Sequence, residues 1–293
     1  MSDKTGAAGS IRKVSVKANI IAEWQHLKVP AIAIGIIIGG LMQWVHNIAH
    51  NFVYYLAGHY GVYGGPANEL TDMGFKALVP SIEDLPFLPS NGCLYTLGAI
   101  GAIVALSPLF TRALVRCPDV RVVQILWRGL VTCSICIFLR CVSFLVTVLP
   151  APAPHCAIGE FNPPTTAYEV IFNFNTDDGC SDLIFSSHMM YGITATLIVT
   201  QYVLTAKHLI ASKLERGLKY ALVGLCWSTV VAEAFCIVAQ RSHYSVDVWT
   251  ALYAVPLVWI AFYHFVPSDP RPKEIPARRD SNATDNVDAS ASV

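Results

Sequence analysis

The sequence is poor in charge. Only 14% of its 293 residues are Asp, Glu, Lys or Arg, whereas 54% are hydrophobic, and the formal net charge is zero. Soluble domains contain about 25% charged residues, so this composition predicts an integral membrane protein. The lack of net positive charge argues against a nucleic-acid partner, because proteins that bind nucleic acids present a basic surface.

The chain also lacks the spacings that are typical of a metal centre. Neither H-x-x-H nor H-E-x-x-H occurs, and the nine cysteines do not form a pattern of paired ligands. Cys133 and Cys136 make one C-x-x-C, but they lie inside an apolar run, where helix packing is the better interpretation. We therefore expect no metal and no cofactor.

Long apolar runs are abundant instead. Six of them reach the length of about 20 residues that a membrane-spanning helix needs, at roughly residues 29–50, 94–114, 123–149, 184–205, 218–239 and 246–266. The polar N-terminus does not resemble a cleavable signal peptide. We expect an all-α fold of six transmembrane helices, with an N-terminal segment 1–28, a catalytic membrane domain 29–266 and a disordered tail 267–293.

Two connecting segments contain almost no basic residue. Residues 150–183 have none and residues 58–93 have only Lys76, whereas basic residues flank the other connections and both termini. By the positive-inside rule, the sequence predicts that both termini are cytosolic and that these two segments are luminal or extracellular.

Two polar clusters fall on this outer side. In G-C-S-D-L-I-F-S-S-H-M (179–189), Asp182 and His188 flank the start of the fourth span. In H-Y-S-V-D-V-W (243–249), His243 and Asp247 are four residues apart, so they share a face if the sixth helix begins near them. A carboxylate at that distance can orient the imidazole and raise its basicity. Two histidines and two aspartates at one membrane depth favour phosphoryl transfer without a metal.

These clusters resemble signatures of the sphingomyelin synthase family. C-S-D-L-I-F-S-S-H-M resembles its third signature and H-Y-S-V-D-V-W-T-A-L-Y its fourth. Residues 140–156 resemble its second signature, and L-T-D-M-G-F at 70–75 resembles the start of its first. The S-S-H-M spelling is typical of the plant-type inositol phosphorylceramide synthases. The match covers roughly residues 22–265, with Ser181 in place of the family's Gly.

The resemblance implies a transferase that moves a phospho-head group from a glycerophospholipid to the primary hydroxyl of ceramide and releases diacylglycerol. The family's catalytic triad corresponds to His188, His243 and Asp247, and Asp182 is the acid of the third signature. Phosphoinositol is the expected head group, with sphingomyelin or ceramide phosphoethanolamine synthesis as alternatives. The resemblance also implies a multi-pass Golgi protein with a luminal site, the plasma membrane being the alternative location.

Two arginines are candidates for binding the donor phosphate, and each has a second interpretation. Arg140, in the outer half of the third span, could form a bidentate clamp, or it could reach the membrane interface or pair with Glu233. Arg241, two residues before His243, could bind the phosphate or be an interfacial charge.

Three residues of the outer segments complete the candidate site. Glu169 could position a substrate hydroxyl or a histidine, or it could be a solvated loop acid. Cys156 and Cys180 border the motifs on the side where disulfides can form, and we expect them to pair.

Two further classes of protein stay open. A lipid phosphate phosphatase shares the two-histidine chemistry, but the K-x-x-x-x-x-x-R-P motif of that family does not occur here. A non-enzymatic membrane protein such as a transporter is the other class. Against it, the polar groups lie at the outer mouth of the helices and not at the membrane midplane.

Overall fold

The structure, a computed structural model, describes residues 16–78, 90–110, 121–174, 179–204 and 213–266. Within these ranges it contains helices and no strand, as predicted. The α-helices there are α1 (Val16–Leu27), α2 (Pro30–Tyr60), α3 (Met73–Leu78), α4 (Ser90–Phe110), α5 (Val122–Val146), α6 (Ala167–Phe172), α7 (Ser187–Leu204), α8 (Lys213–Ala239) and α9 (Ser245–Phe265), with a 3-10 turn at Pro154–Cys156.

Five of the described helices are long and apolar enough to cross a membrane, namely α2, α4, α5, α8 and α9. The chain is therefore a multi-pass membrane protein. The remaining predicted span corresponds to α7, which has 18 residues and packs against α4, α5, α8 and α9 at the centre of the bundle. Six spans and cytosolic termini stay predictions, and the tail 267–293 lies outside the described residues.

Two helix ends differ from the predicted spans for identifiable reasons. The first span was expected to end near residue 50, but α2 continues to Tyr60, since the polar residues on its inner face find partners in the protein. It ends at Gly61, which has the left-handed φ of 69° that closes many helices. The helix α7 starts at Ser187 and not at residue 184, because Ile184 has a φ of 76°.

The short helix α1 lies within the segment 1–28 and was not predicted. Its Asn19 amide donates hydrogen bonds to the last carbonyls of α4, at 3.2 and 3.1 Å. Its Glu23 carboxylate accepts the N–H groups of Val122 and Val123 at the start of α5, both at 3.1 Å. The helix thus satisfies polar groups that the ends of α4 and α5 would leave unpaired.

The helices α2 and α5 pack closely side by side. Gly35 faces the Trp127 indole so tightly that a Cβ there would overlap the ring. The indole Nε1–H donates to the Ala31 carbonyl at 2.9 Å. As a result, the outer half of α5, which contains Arg140, lies against the polar face of α2.

Candidate active site

His243 and Asp247 form a buried pair at the start of α9. His243 precedes the helix, Asp247 lies in its first turn, and His243 Nδ1 is 3.1 Å from Asp247 Oδ2. The same oxygen accepts the N–H of Tyr244 at 3.1 Å. Because the carboxylate accepts a hydrogen bond from Nδ1–H, the neutral ring keeps its proton on Nδ1 and has an unprotonated Nε2, which is the form that a nucleophile or base requires.

Asp247 also fastens the loop that leads into α7. Its Oδ1 accepts the N–H of Ile184 at 2.8 Å, and its backbone carbonyl accepts the N–H of Ser186 at 3.2 Å. Ile184 has a φ of 76°, a conformation that a β-branched residue rarely adopts. The hydrogen bonds to Asp247 hold the loop in this conformation, so one residue orders both polar clusters.

His188 is the second residue of α7 and is half-buried. Its Nε2 lies 2.8 Å from the side-chain oxygen of Asn91 on α4. An amide oxygen only accepts, so Nε2 carries the proton and Nδ1 is left to accept one. His188 lies close enough to His243, Arg140 and Asp182 for their charges to act on it. In the described contacts its hydrogen-bond partner is Asn91 and not Asp182.

Asp182 is the centre of a separate buried network. Its Oδ2 accepts hydrogen bonds from His50 Nε2 at 2.6 Å and from Arg140, and its Oδ1 accepts the Tyr54 hydroxyl at 3.1 Å. Burial alone raises the pKa of Asp182, but the attraction of His50 and Arg140 outweighs burial and holds the pKa well below the ordinary value of 3.8. Asp182 is therefore a carboxylate that ties the loop to α2 and α5.

Three residues of α2 in this network had not been singled out from the sequence. His46, His50 and Tyr54 stand at every fourth position of H-N-I-A-H-N-F-V-Y, the pattern of one helix face. His46 Nε2 accepts Arg140 Nε–H at 3.1 Å, and the ring centroids of His46 and His50 are 5.6 Å apart. The signal was available, because polar residues at that period inside an apolar span indicate an inward-facing polar surface.

The two arginines differ in their surroundings. Arg140 is fully buried and pairs with Asp182, so both alternatives for it, the membrane interface and Glu233, are wrong. In the part of the chain that the structure describes, Arg140 Nη1 and the buried Glu233 carboxylate have no hydrogen-bond partner. Arg241 donates to the Glu69 carboxylate at 2.8 Å. Phosphate binding stays a prediction for both arginines.

Glu169 acts as a helix cap in the structure. Its carboxylate accepts the N–H groups of Thr165 at 2.7 Å and of Thr166 at 3.0 Å, before the start of α6. These hydrogen bonds lower the pKa of Glu169, and the one from Thr165 contributes most. Its described hydrogen bonds include none to a histidine, so the structure does not place it with His188 and His243.

Cys156 and Cys180 are brought together as a disulfide with a Cα–Cα distance of 5.3 Å. His155 completes a group of potential metal ligands here, but both sulfurs belong to the disulfide and offer no thiolate. Ser181 is buried, has an ordinary φ and donates its hydroxyl to the Cys180 carbonyl at 2.7 Å. Serine fits at the family's glycine position because the backbone there needs no left-handed residue.

Taken as chemistry, the site combines a nucleophile or base with an acid. Among the described residues, His188 and His243 each have one ring nitrogen hydrogen-bonded to the protein, and the other nitrogen is available to a substrate. A buried guanidinium, Arg140, is hydrogen-bonded to Asp182, in the loop that leads to His188, and can offset negative charge. These are the groups that transfer of a phosphoryl group between two oxygens requires.

Comparisons with known proteins agree with this chemistry. Residues 179–265 match the family model described as PAP2 superfamily C-terminal. A phosphatidylinositol:ceramide inositolphosphotransferase of Oryza sativa subsp. indica is 30% identical over 228 residues, which are 75% of this chain and 62% of the rice protein. Phosphatidylinositol:ceramide inositolphosphotransferase 2 of Arabidopsis thaliana is 27% identical over 254 residues, 84% of this chain and 72% of that protein.

A more distant match has a different head group in its name. Phosphatidylcholine:ceramide cholinephosphotransferase 1 of Gallus gallus is 27% identical over 146 residues, which are 46% of this chain and 31% of the chicken protein. The chain spans less than two thirds of the length of the rice relative.

Proposed function

We propose that the chain belongs to the family of the sphingomyelin synthases and plant inositol phosphorylceramide synthases and, on this premise, that it is a ceramide phosphotransferase. It moves a phospho-head group from a glycerophospholipid to the primary hydroxyl of ceramide and releases diacylglycerol. We propose phosphatidylinositol as the donor, because the rice and Arabidopsis relatives are named for that transfer. The observation that carries the proposal is the His243–Asp247 pair, hydrogen-bonded to the loop that leads to His188.

The proposed reaction has two displacements at phosphorus. First, His243 Nε2 attacks the donor phosphate, the bond from phosphorus to the diacylglycerol oxygen breaks, and protonated His188 gives its Nδ1 proton to that oxygen. Second, His188 Nδ1 takes the proton of the ceramide hydroxyl, whose oxygen attacks phosphorus while the phosphorus–nitrogen bond breaks. His243 is regenerated, and His188 is protonated for the next cycle.

Neighbouring residues have defined tasks in this scheme. Asp247 holds the His243 ring and offsets its positive charge while the phosphate is attached. Arg140 and Arg241 are the proposed phosphate ligands, and Arg241 must exchange its Glu69 partner for the substrate to do so.

We propose that the site faces the lumen of the Golgi, or the cell exterior if the protein resides in the plasma membrane. The support is the scarcity of basic residues in 58–93 and 150–183, the two segments that adjoin the motifs. Six spans, with α7 as the fourth, place both termini in the cytosol.

The proposal is tested by incubating membranes that contain the protein with fluorescent ceramide and, separately, phosphatidylinositol, phosphatidylcholine or phosphatidylethanolamine. We expect inositol phosphorylceramide and an equimolar amount of diacylglycerol with the first donor. The His243→Ala variant should lose at least about 10³-fold in rate, whereas His59→Ala, at the exposed end of α2, should keep its rate.

Three results would speak against parts of the proposal. Product with choline or ethanolamine donors alone would refute the inositol assignment. Activity that survives in His243→Ala would refute the mechanism. Release of inositol phosphate in the absence of ceramide, with no transfer when ceramide is added, would identify a phosphatase.

A further inference from the structure

A polar stripe on α2 lies beside the catalytic histidines and has no task in the two displacements. It consists of Gln43, His46, His50 and Tyr54, whose spacing places them on one helix face. Its hydrogen-bond partners come from two helices and a loop: Tyr191 of α7, Arg140 of α5 and Asp182 before α7.

Hydrogen bonds already made by the stripe determine which of its atoms remain for a ligand. Gln43 Oε1 accepts the Tyr191 hydroxyl at 2.8 Å, so its amide N–H groups remain as donors. His46 Nε2 accepts Arg140 Nε–H at 3.1 Å, which places the ring proton on Nδ1 as a second donor. His50 Nε2–H donates to Asp182 at 2.6 Å, which leaves Nδ1 as an acceptor.

One of these remaining atoms, His50 Nδ1, is buried without a hydrogen-bond partner among the described residues. The same holds for Nη1 of Arg140, the partner of His46. A buried polar atom without a hydrogen bond is costly, and a charged one more so. Such atoms beside a reaction centre are accounted for if the substrate supplies their partners.

The stripe is adjacent to the reacting groups. Tyr191, the partner of Gln43, lies one helical turn after His188 on α7. Arg140 and Asp182, the partners of His46 and His50, act electrostatically on His188. A head group whose phosphorus lies between His188 and His243 therefore extends toward this face of α2.

The chemistry of the stripe favours hydroxyl groups over an ammonium. Neutral donors alternate with a neutral acceptor, which matches the hydroxyls of a ring polyol. An ammonium group would need a carboxylate or an open aromatic face. The neighbouring carboxylate, Asp182, is already engaged, because it accepts hydrogen bonds from Arg140, His50 and Tyr54. The neighbouring Phe144 ring already lies under the Arg140 guanidinium, 5.6 Å from its centroid.

We propose that Gln43, His46 and His50 form the subsite that recognises an uncharged polyol head group, next to the phosphate that Arg140 binds. The inference rests on the proposed transferase function and adds the residues that select its donor. His46 is the residue to test, because Gln and Asn each replace a different one of its two ring nitrogens. The two substitutions therefore show separately what each nitrogen contributes.

The test compares His46→Gln with His46→Asn in membranes assayed with phosphatidylinositol and fluorescent ceramide. The Gln oxygen can take the place of Nε2 and keep the Arg140 contact, but it removes the Nδ1–H donor. The Asn amide N–H₂ takes the place of Nδ1–H and restores a donor. We expect His46→Gln to raise the KM for phosphatidylinositol about tenfold, the effect of one lost hydrogen bond, with kcat and the KM for ceramide within about threefold. His46→Asn should stay within about threefold of the wild type in KM for phosphatidylinositol.

His59→Gln, the same change on an exposed part of α2, is the matched control and should leave all constants unchanged. An unchanged KM for phosphatidylinositol in His46→Gln would overturn the inference. So would a fall in kcat alone, or equal defects in the Gln and Asn variants. Failure of the proposed function is distinguishable, because then the wild type itself forms no inositol phosphorylceramide.

Discussion

One carboxylate determines much of the site at the scale of residues. The Asp247 carboxylate accepts hydrogen bonds from His243 Nδ1–H, from the Tyr244 N–H and from the Ile184 N–H, at 3.1, 3.1 and 2.8 Å. Hydrogen bonds to a charged group contribute about 1.5–3 kcal/mol each, so catalytic geometry and local stability depend on the same two oxygens. Asp182 has a comparable structural task but binds α2 and α5 instead.

The Asp247→Asn substitution tests this double role. The asparagine amide has one acceptor oxygen, and an N–H₂ group replaces the other oxygen of the carboxylate. Where this N–H₂ group faces His243 Nδ1, two donors oppose each other, so the substitution disfavours the His243 tautomer that carries the proton on Nδ1. We expect a fall in kcat of about 10³- to 10⁴-fold and a lower melting temperature in detergent. The control is Glu160→Gln at an exposed loop position, which should alter neither quantity. Wild-type kcat in Asp247→Asn would contradict the assigned role.

At the scale of elements, the short helix α3 stabilises the start of α9. Asp72 accepts the Gly74 N–H at 2.7 Å within its own turn, and also the N–H and hydroxyl of Ser245, both at 2.7 Å. Burial by itself raises the pKa of Asp72. The hydrogen bonds that the carboxylate accepts from the Ser245 side chain and backbone, and from the N–H groups at the start of α3, outweigh burial and lower the pKa below its ordinary value. This stabilisation is present above the ordinary pKa of 3.8 and is lost as the pH falls through the lower folded value.

A Gly74→Ala substitution tests the docking of α3. A Cβ at this position would overlap the Ser245 hydroxyl and lie 3.0 Å from Asp72 Oδ1. We expect the hydroxyl to rotate away from Asp72 and the protein to lose about 1–3 kcal/mol of stability, measured as a shift in thermal inactivation. Gly98→Ala in α4 is the control, because a Cβ there meets nothing within 4 Å and should be neutral or stabilising. Equal behaviour of the two variants would contradict the docking.

At the scale of the whole molecule, periodicity predicted the helical membrane fold, which is confirmed. The motif spacing predicted a resemblance to ceramide phosphotransferases, and the comparisons find the same similarity. The His243–Asp247 contact was also predictable, since a separation of four residues at a helix start brings two side chains together. The partners of Asp182 were not, because His50 and Arg140 lie 132 and 42 residues away in the sequence. Such pairings depend on which faces of α2 and α5 meet, and an apolar run alone does not determine this.

The predicted orientation of the whole bundle is tested with a glycosylation acceptor inserted after Gly159, in an exposed turn of the segment 150–183. We expect glycosylation there, since this segment is proposed to be luminal. The natural Asn282-Ala-Thr284 acceptor in the tail should stay unmodified and serves as an internal control. Glycosylation of Asn282 with none after Gly159 would mean that the orientation in the membrane is the opposite of the one proposed.

The several tasks of Asp247 have a consequence for how descendants of this protein are interpreted. A duplicate that has lost its activity but is still selected for its fold is expected to retain Asp247, because the loop of Ile184 depends on it. His243 has no such second task in its described hydrogen bonds and is free to drift. A relative with the aspartate but without the histidine is thus the expected form of a pseudoenzyme, and presence of Asp247 alone is no sign of catalysis.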